Sequence, residues 1–224
     1  MRLTLEQAVL VRSGRPVLDE VSLTLEPGTH ALLLGWAGSG KTTVLKALAG
    51  LLPLDSGAVG WDGQRPTRTG RSQVGMVFQT DALFDSLTVE ENVLLPLRRR
   101  QVANPQARAR AREILTRVGL GEALLTLPEH LSGGMRRRVG IARALVTGPS
   151  VLLVDDPLAG LDPRTARSIT GLILELAVGK TLLWSAAEPP PHFEPLRWLW
   201  IDQGRLVHDG PPRASLLVAT GDAA

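Results

Sequence analysis

Cysteine is absent from the 224 residues of this chain, so neither a disulfide framework nor a thiolate metal site is open to it. That absence leaves the redox compartment undetermined. No apolar run is long enough to span a bilayer, and Met1-Arg2-Leu3-Thr4-Leu5-Glu6 has no basic stretch leading into a sustained apolar core. The expectation is a chain made and kept in the cytoplasm. Aromatics make up only 4% of residues. Lysine is scarce too, so a net charge of +3 with a pI near 10.1 rests on arginine. Arginines cluster at Arg98-Arg99-Arg100, at Arg108, Arg110 and Arg112, and at Arg136-Arg137-Arg138. With no aromatics interleaved, these clusters do not point to nucleic acid. They read as solvated helix faces, or as contacts for an acidic partner or a lipid surface. His30, His130, His192 and His208 have no mutual metal-ligand spacing and read as structural or exposed. There is no internal repeat.

What the chain does contain is organised around Gly35-Trp36-Ala37-Gly38-Ser39-Gly40-Lys41-Thr42, which completes the pattern G-x-x-x-x-G-K-[ST]. The apolar run His30 to Leu34 feeds it, and Thr43 to Leu51 follows with apolar residues at helical spacing. Strand, glycine loop and helix in that order form a phosphate cradle. The glycines let backbone N–H groups turn inward, and the helix start presents its positive dipole end. Lys41 would reach the β- and γ-phosphates of a nucleotide, and the Thr42 hydroxyl would ligate a bridging Mg²⁺.

The length suits one large α/β domain with a small inserted subdomain. Leu3, Leu5, Val9 and Val11 suggest one strand by alternation, and Val21 to Leu25 a second. Further strands are expected at Ala58 to Trp61 and Gln73 to Phe78. From Thr80 to about Pro149 strand signals vanish. Helices are expected from a cap at Thr88, from Pro105 to Val118 and from Ser132 to Val146. Strands return at Val151 to Val154, Thr181 to Trp184 and Trp198 to Ile201, with a helix from Pro163 to Ala177 between them and a closing hairpin turned at Gly204. This alternation implies a mainly parallel sheet with N-terminal antiparallel strands. Residues 1–79 and 150–224 would form the nucleotide-binding core, and 80–149 the helical insert.

The strand at Val151 ends in Asp155-Asp156, which places both carboxylates at the carboxyl edge of the sheet, where open α/β folds bind ligands. Asp155 would hold Mg²⁺ and Asp156 would face the attacking water. Twenty residues earlier, Leu131-Ser132-Gly133-Gly134-Met135 opens a helix, where Ser132 and the N–H groups of Gly133 and Gly134 form a second anion site.

With these motifs in order, the chain resembles the ATP-binding subunit of an ABC transporter over nearly its whole length. Gln79 matches the Q-loop glutamine, a metal ligand and catalytic residue, and Leu131 to Met135 match the signature motif. Asp155 matches the second acidic motif, and Ala159-Gly160-Leu161-Asp162 the D-loop. The resemblance implies a P-loop NTPase fold with ATP and Mg²⁺ as cofactors, and a membrane permease as partner. It also implies a head-to-tail dimer, of like or unlike chains, in which two ATP molecules sit between one subunit's phosphate loop and the other's signature motif. Such a subunit lies peripherally on the inner face of the cell membrane. Residues Phe78 to Val93, and Met135 where most members have glutamine, resemble the ATPases of Mla-type systems, which work with an MCE-type lipid-binding protein to move phospholipid between bacterial membranes.

Three positions depart from the family. Asp156 stands where a catalytic glutamate is expected, Ala187 where a switch histidine is expected, and Val11 to Arg15 hold no adenine-stacking aromatic. Trp36 offers a different ring, and Ser185 or Glu188 could assist the chemistry. The alternative to a transport ATPase is therefore a degenerate module that binds ATP and hydrolyses little, paired with another subunit or regulatory. A soluble member acting on ribosomes or DNA is disfavoured, because such proteins generally carry two cassettes or long insertions.

Overall fold

The computed structural model describes residues 1–67 and 70–218. Strands β1 (Leu3–Arg12) and β2 (Arg15–Leu25) form a hairpin about Ser13 and Gly14, both at positive φ (50° and 74°), as a two-residue turn matched to strand twist requires. Strand β3 (His30–Leu34) belongs to a second sheet, and β4 (Ser56–Trp61) returns to pair antiparallel with β1. The first sheet is thus ordered β2-β1-β4.

The expected alternation in β1 holds only for its first half. Leu3 and Leu5 are buried, but the next inward residues are Ala8 and Leu10, and Val11 is 39% exposed. The cause is a register shift between Leu5 and Ala8 with Gln7 at φ 44°, a bulge whose extra residue flips the inward set by one position.

The second sheet adds β5 (Val74–Val77), β6 (Val151–Asp155), β7 (Thr181–Ala186), β8 (Arg197–Asp202) and β9 (Arg205–Gly210), in the order β5-β6-β7-β3-β8-β9. All its pairings are parallel except β8 with β9. Because the parallel strands are covered on both faces, their runs are continuously apolar rather than alternating. Leu32, Leu34, Leu152, Val154, Leu182 and Trp184 enter one buried cluster. Ala31, Leu33, Leu153 and Leu183 enter the other, against the first sheet.

Helix α1 (Lys41–Leu48) lies in that second cluster and ends earlier than its apolar spacing suggests, because Gly50 turns the chain at φ 65°. Between β5 and β6 run α2 (Val89–Arg99), α3 (Asn104–Arg117) and α4 (Gly133–Leu145). The start of α2 is fixed by a capping box between Thr88 and Glu91, as its sequence predicts. Helix α5 (Pro163–Leu176) starts at an Asp162 cap, and a short α6 (Ser215–Val218) closes the described chain. Helices α2 to α4 share one buried cluster with the sheet: Val93, Leu115 and Val139 pack into the same core as Leu152 and Trp184.

The arginine clusters divide: Arg98, Arg99, Arg100 and Arg110 are exposed, as solvated helix faces would be, whereas others are tied to groups of the molecule itself. Glu90, 3% exposed on α2, accepts from Arg108 at 2.6 Å and Arg112 at 2.7 Å and so fastens α3 to α2. Arg138 donates to the Val118 carbonyl and to Ser168. Arg137 is buried. No helix among the described residues is long and apolar enough to cross a membrane.

Candidate functional site

Gly35 to Thr42 link the end of β3 to α1, in the middle of the parallel sheet. Two glycines there are sterically required. A Cβ on Gly35 would stand 2.2 Å from the Ile201 carbonyl oxygen, and one on Gly40, at φ 110°, would stand 2.8 Å from that of Val17. Gly38 has open space and matters for its φ of 77°. Ser39 is buried, and its hydroxyl has no hydrogen-bond partner among the described residues. Ala37 is exposed at the tip of the loop.

Lys41 turns its ammonium back across the loop, donating to the carbonyl oxygens of Gly35 at 2.5 Å and Trp36 at 2.7 Å. Burial lowers its pKa, with Asp156 and Asp155 opposing. Thr42 Oγ1 donates to Asp155 Oδ1 at 3.0 Å, so α1 and β6 meet through these two side chains. Thr43 is half-buried next to it. Trp36 is 39% exposed and meets Trp200 edge-on, with ring centroids 6.4 Å apart.

Ser185 plays a larger part than its sequence context suggests. It stands opposite Asp155 in the parallel register of β6 and β7. Its hydroxyl is buried and donates to Asp155 Oδ1 at 2.8 Å, and its carbonyl accepts the Asp156 N–H at 3.0 Å. The signal available in the sequence is a lone serine in the apolar run Leu182-Leu183-Trp184-Ser185-Ala186, a strand expected to stop two residues sooner, at Trp184.

Asp156 adopts φ 39°, a left-handed backbone that a non-glycine residue holds only when its surroundings fix it. Burial raises its carboxyl pKa, an effect opposed by Lys41 and reinforced by Asp155. A cleft of about 270 Å³ opens beside it, lined by Ala159, Trp184, Ala187, Glu188 and the prolines 189–191. Ala187 and Glu188 are exposed along its edge.

The other predicted residues lie apart from this hydrogen-bonded group. The Gln79 side chain is exposed, and the residue is held through its backbone carbonyl, which accepts from Arg137. Ser132 caps α4 by accepting the Met135 N–H at 3.2 Å. Gly134 faces α5, and a Cβ there would approach Thr165 Cγ2 to 3.0 Å. Ser132 and Gly133 keep open surroundings. Asp162 is spent on capping α5, and hydrogen bonds from Thr165 and Arg164 hold its pKa down.

The donor set fits a magnesium–triphosphate. A hydroxyl and a carboxylate, both hard oxygen ligands, meet at Thr42 and Asp155. Beside them an ammonium is bonded, among the described residues, only to carbonyl oxygens of its own loop, partners that phosphate oxygens can replace. Among the described residues no group of three or more His, Asp or Glu side chains could hold a metal unaided, which suits an ion that takes part of its shell from phosphate.

Comparison with known proteins agrees with this geometry. Residues 18–159 match the ABC transporter family. A methionine import ATP-binding protein of Mesorhizobium japonicum is 39% identical over 210 residues, covering 88% of this chain and 56% of that protein. A taurine import ATP-binding protein of Rhizobium johnstonii is 42% identical over 167 residues, covering 74% of this chain and 63% of the relative. The chain spans about half the length of the methionine import proteins it matches, 56% and 45% of two of them. Among solved structures, the dimeric structure of a bacterial ABC transporter cassette superposes with a TM-score of 0.83 at 27% identity, covering 95% of this chain and 99% of that one. A cassette from Clostridium perfringens, described as part of an ABC transporter complex, superposes with a TM-score of 0.81 at 27% identity, covering 96% of this chain and 90% of that one.

Proposed function

Because the chain belongs to the ABC transporter family, with the cassette fold of its ATPases, we propose that it binds ATP with Mg²⁺ in the loop of Lys41 and hydrolyses it to drive a membrane permease. The observation that carries this reading is the unbroken path Thr42–Asp155–Ser185, in which the nucleotide loop, the acidic strand end and β7 share one carboxylate oxygen. Mg²⁺, held by Thr42 and Asp155, supplies neutralisation of the phosphate charge. Lys41 exchanges its loop carbonyls for phosphate oxygens. Backbone N–H groups from Gly38 to Thr43 orient the phosphates, and Asp156 accepts a proton from the attacking water. Ser132, Gly133 and Gly134 close the pocket of a second subunit, in a dimer of like or unlike chains, as the dimeric structural relative suggests.

The permease partner fits a groove of about 1160 Å³ between α1, β5, α2 and α4, where Leu51 and Phe84 are exposed beside Arg99 and Arg100. Docking there would hold the chain at the inner face of the membrane. The relatives named for methionine and taurine import favour uptake of a small solute as the transported class. A second reading, phospholipid transport with an MCE-type partner, is favoured by the segment Phe78 to Val93 and by Met135.

The test of the core reading is Lys41→Ala with calorimetric ATP binding. Loss of the charge-assisted bonds predicts about a ten- to hundredfold weaker Kd. Unchanged binding overturns the assignment. Reconstitution with the permease, reading amino-acid uptake against phospholipid-stimulated turnover, decides between the two transported classes.

A further inference from the structure

The segment after β5 that carries Gln79 is held by α4. Arg137, 6% exposed, donates through one terminal nitrogen to the carbonyl oxygens of Phe78 at 3.0 Å and Gln79 at 2.6 Å. Its Nε lies 3.2 Å from Asp81 Oδ1, and Arg136 Nε lies 3.8 Å from Asp81 Oδ2. Two turns further along α4, Arg143 donates to the carbonyls of Asp81 at 2.8 Å and Ala82 at 2.6 Å. The segment needs such support, because Ala82 sits at φ 45° and the Gln79 side chain is exposed.

Arg137 lies one turn inside the helix that begins at Gly133, about 6 Å along a stiff rod from the anion site of Ser132 to Gly134. Asp81 Oδ1 and Arg137 Nε are both buried and lack hydrogen-bond alignment, so charge and proximity hold them together. An arginine that gives one terminal nitrogen to two successive carbonyls while its Nε stands beside a carboxylate fixes a backbone path more rigidly than a lysine could, because its guanidinium is planar and pre-organised where an ammonium turns freely on a flexible stem.

We propose that Arg137 is a positioning residue that ties the backbone of Phe78 and Gln79 to the first turn of α4, so that Gln79 and the Ser132–Gly134 anion site shift as one body. The inference rests on the ATPase reading of the site. It assigns to a buried arginine a part in turnover that its cluster, read as a helix face, did not announce. Structural cement alone would lower stability and leave the catalytic constants of the folded protein where they were.

The experiment compares Arg137→Met, Arg137→Lys and the double change Arg137→Met with Asp81→Asn in the full chain, reading melting temperature, KM and kcat for ATP. Arg137→Met should lower kcat by about tenfold or more while KM stays within about twofold, since misplacement by a fraction of an ångström acts on the chemical step. Arg137→Lys, which keeps the charge and a donor group but loses the planar guanidinium, should recover part of kcat. The double change removes the Asp81 charge that Arg137→Met leaves with only the more distant Arg136, so the melting temperature should recover in part while kcat stays low. Recovery of kcat together with the melting temperature overturns the proposal. Amide exchange over residues 78–84 without nucleotide probes the tether independently of turnover: Arg137→Met should speed it by about tenfold, and unchanged exchange overturns the tether. Absence of Lys41-dependent turnover in the unaltered protein would instead count against the ATPase reading, and the exchange result would still decide the tether.

Discussion

Replacing Asp156 by glutamate and Ala187 by histidine should raise turnover and lower stability together. An aspartate is one methylene shorter than glutamate, which withdraws its carboxylate by about 1 Å, and a displacement of that size costs on the order of 10²-fold in rate, or about 2.7 kcal/mol of barrier. The backbone cannot slide forward to compensate, because the Asp156 N–H is bonded to the Ser185 carbonyl at 3.0 Å, at the ordered end of β7. The cleft of about 270 Å³ beside Ala187 leaves room for an imidazole. The stability loss comes from φ 39°, a conformation in which aspartate is better tolerated than glutamate; the exchange costs about 1 kcal/mol, or a few degrees in Tm for a chain of this size. The assay is kcat for the two single changes and the double change, with ATP affinity as control and a thermal melt in parallel. A rise of about tenfold or more at unchanged affinity supports a site limited at the chemical step. Ordinary turnover in the unaltered chain, with no rise in the variants, would refute the assigned roles at Asp156 and Ala187.

Gly134→Asp should abolish ATP-dependent dimerisation on a sizing column by adding a negative charge at the start of α4 and crowding Thr165, whereas Gly134→Ala, which meets the Thr165 methyl alone, should weaken it mildly. Glu90→Gln should lower stability by about 1 to 3 kcal/mol in denaturant melts. That is less than the loss of a fully buried pair, because Arg108 and Arg112 are 44% and 58% exposed and can turn to solvent. Burial raises the Asp156 pKa, so its working carboxylate is lost at a higher pH than for an ordinary aspartate as acid is added. The acid limb of the kcat/KM profile, which reports the free enzyme, should therefore lie above the usual carboxylate range. The same shift makes the protonated form the one that favours folding. Its contribution is present below the unfolded pKa and is lost as pH rises through the folded one, and Asp156→Asn should flatten that dependence in a pH series of melts.

The parts of this molecule that repeat a local rule are legible in the chain alone. Gly35 to Thr42 announce themselves because only glycine fits at Gly35 and Gly40, and Asp155 because an apolar strand ends in a carboxylate. Thr88 with Glu91, and Ser132 before Gly133, mark helix starts by their capping chemistry. What stays hidden is set by partners distant in sequence. The bulge at Gln7 has no marker residue, since glutamine is not a usual occupant of positive φ, so simple alternation gives the wrong phase for β1 beyond it. Arg137 and Arg138 look like a charged face in sequence because their contacts are to the Phe78 and Gln79 carbonyls, the Asp81 side chain, Val118 and Ser168, which lie 20 to 59 residues away. Ser185 becomes meaningful only when the register sets it opposite Asp155, 30 residues earlier.

The placement of the tryptophans makes the protein its own optical instrument. Trp61, Trp184, Trp198 and Trp200 are buried, so of the five indoles only Trp36 meets solvent, and it does so from within the phosphate loop. Red-edge emission therefore originates almost entirely in the loop of Gly35 to Thr42, and the edge-on contact with Trp200 at 6.4 Å gives it a nearby donor of excitation energy, since transfer runs from the blue-emitting buried ring to the red-emitting exposed one. Any rearrangement of the loop that changes that spacing or wets the ring alters intensity and wavelength together. Because the chain has no cysteine, a single introduced thiol elsewhere would give a second, chemically unique colour against which the loop's signal can be timed.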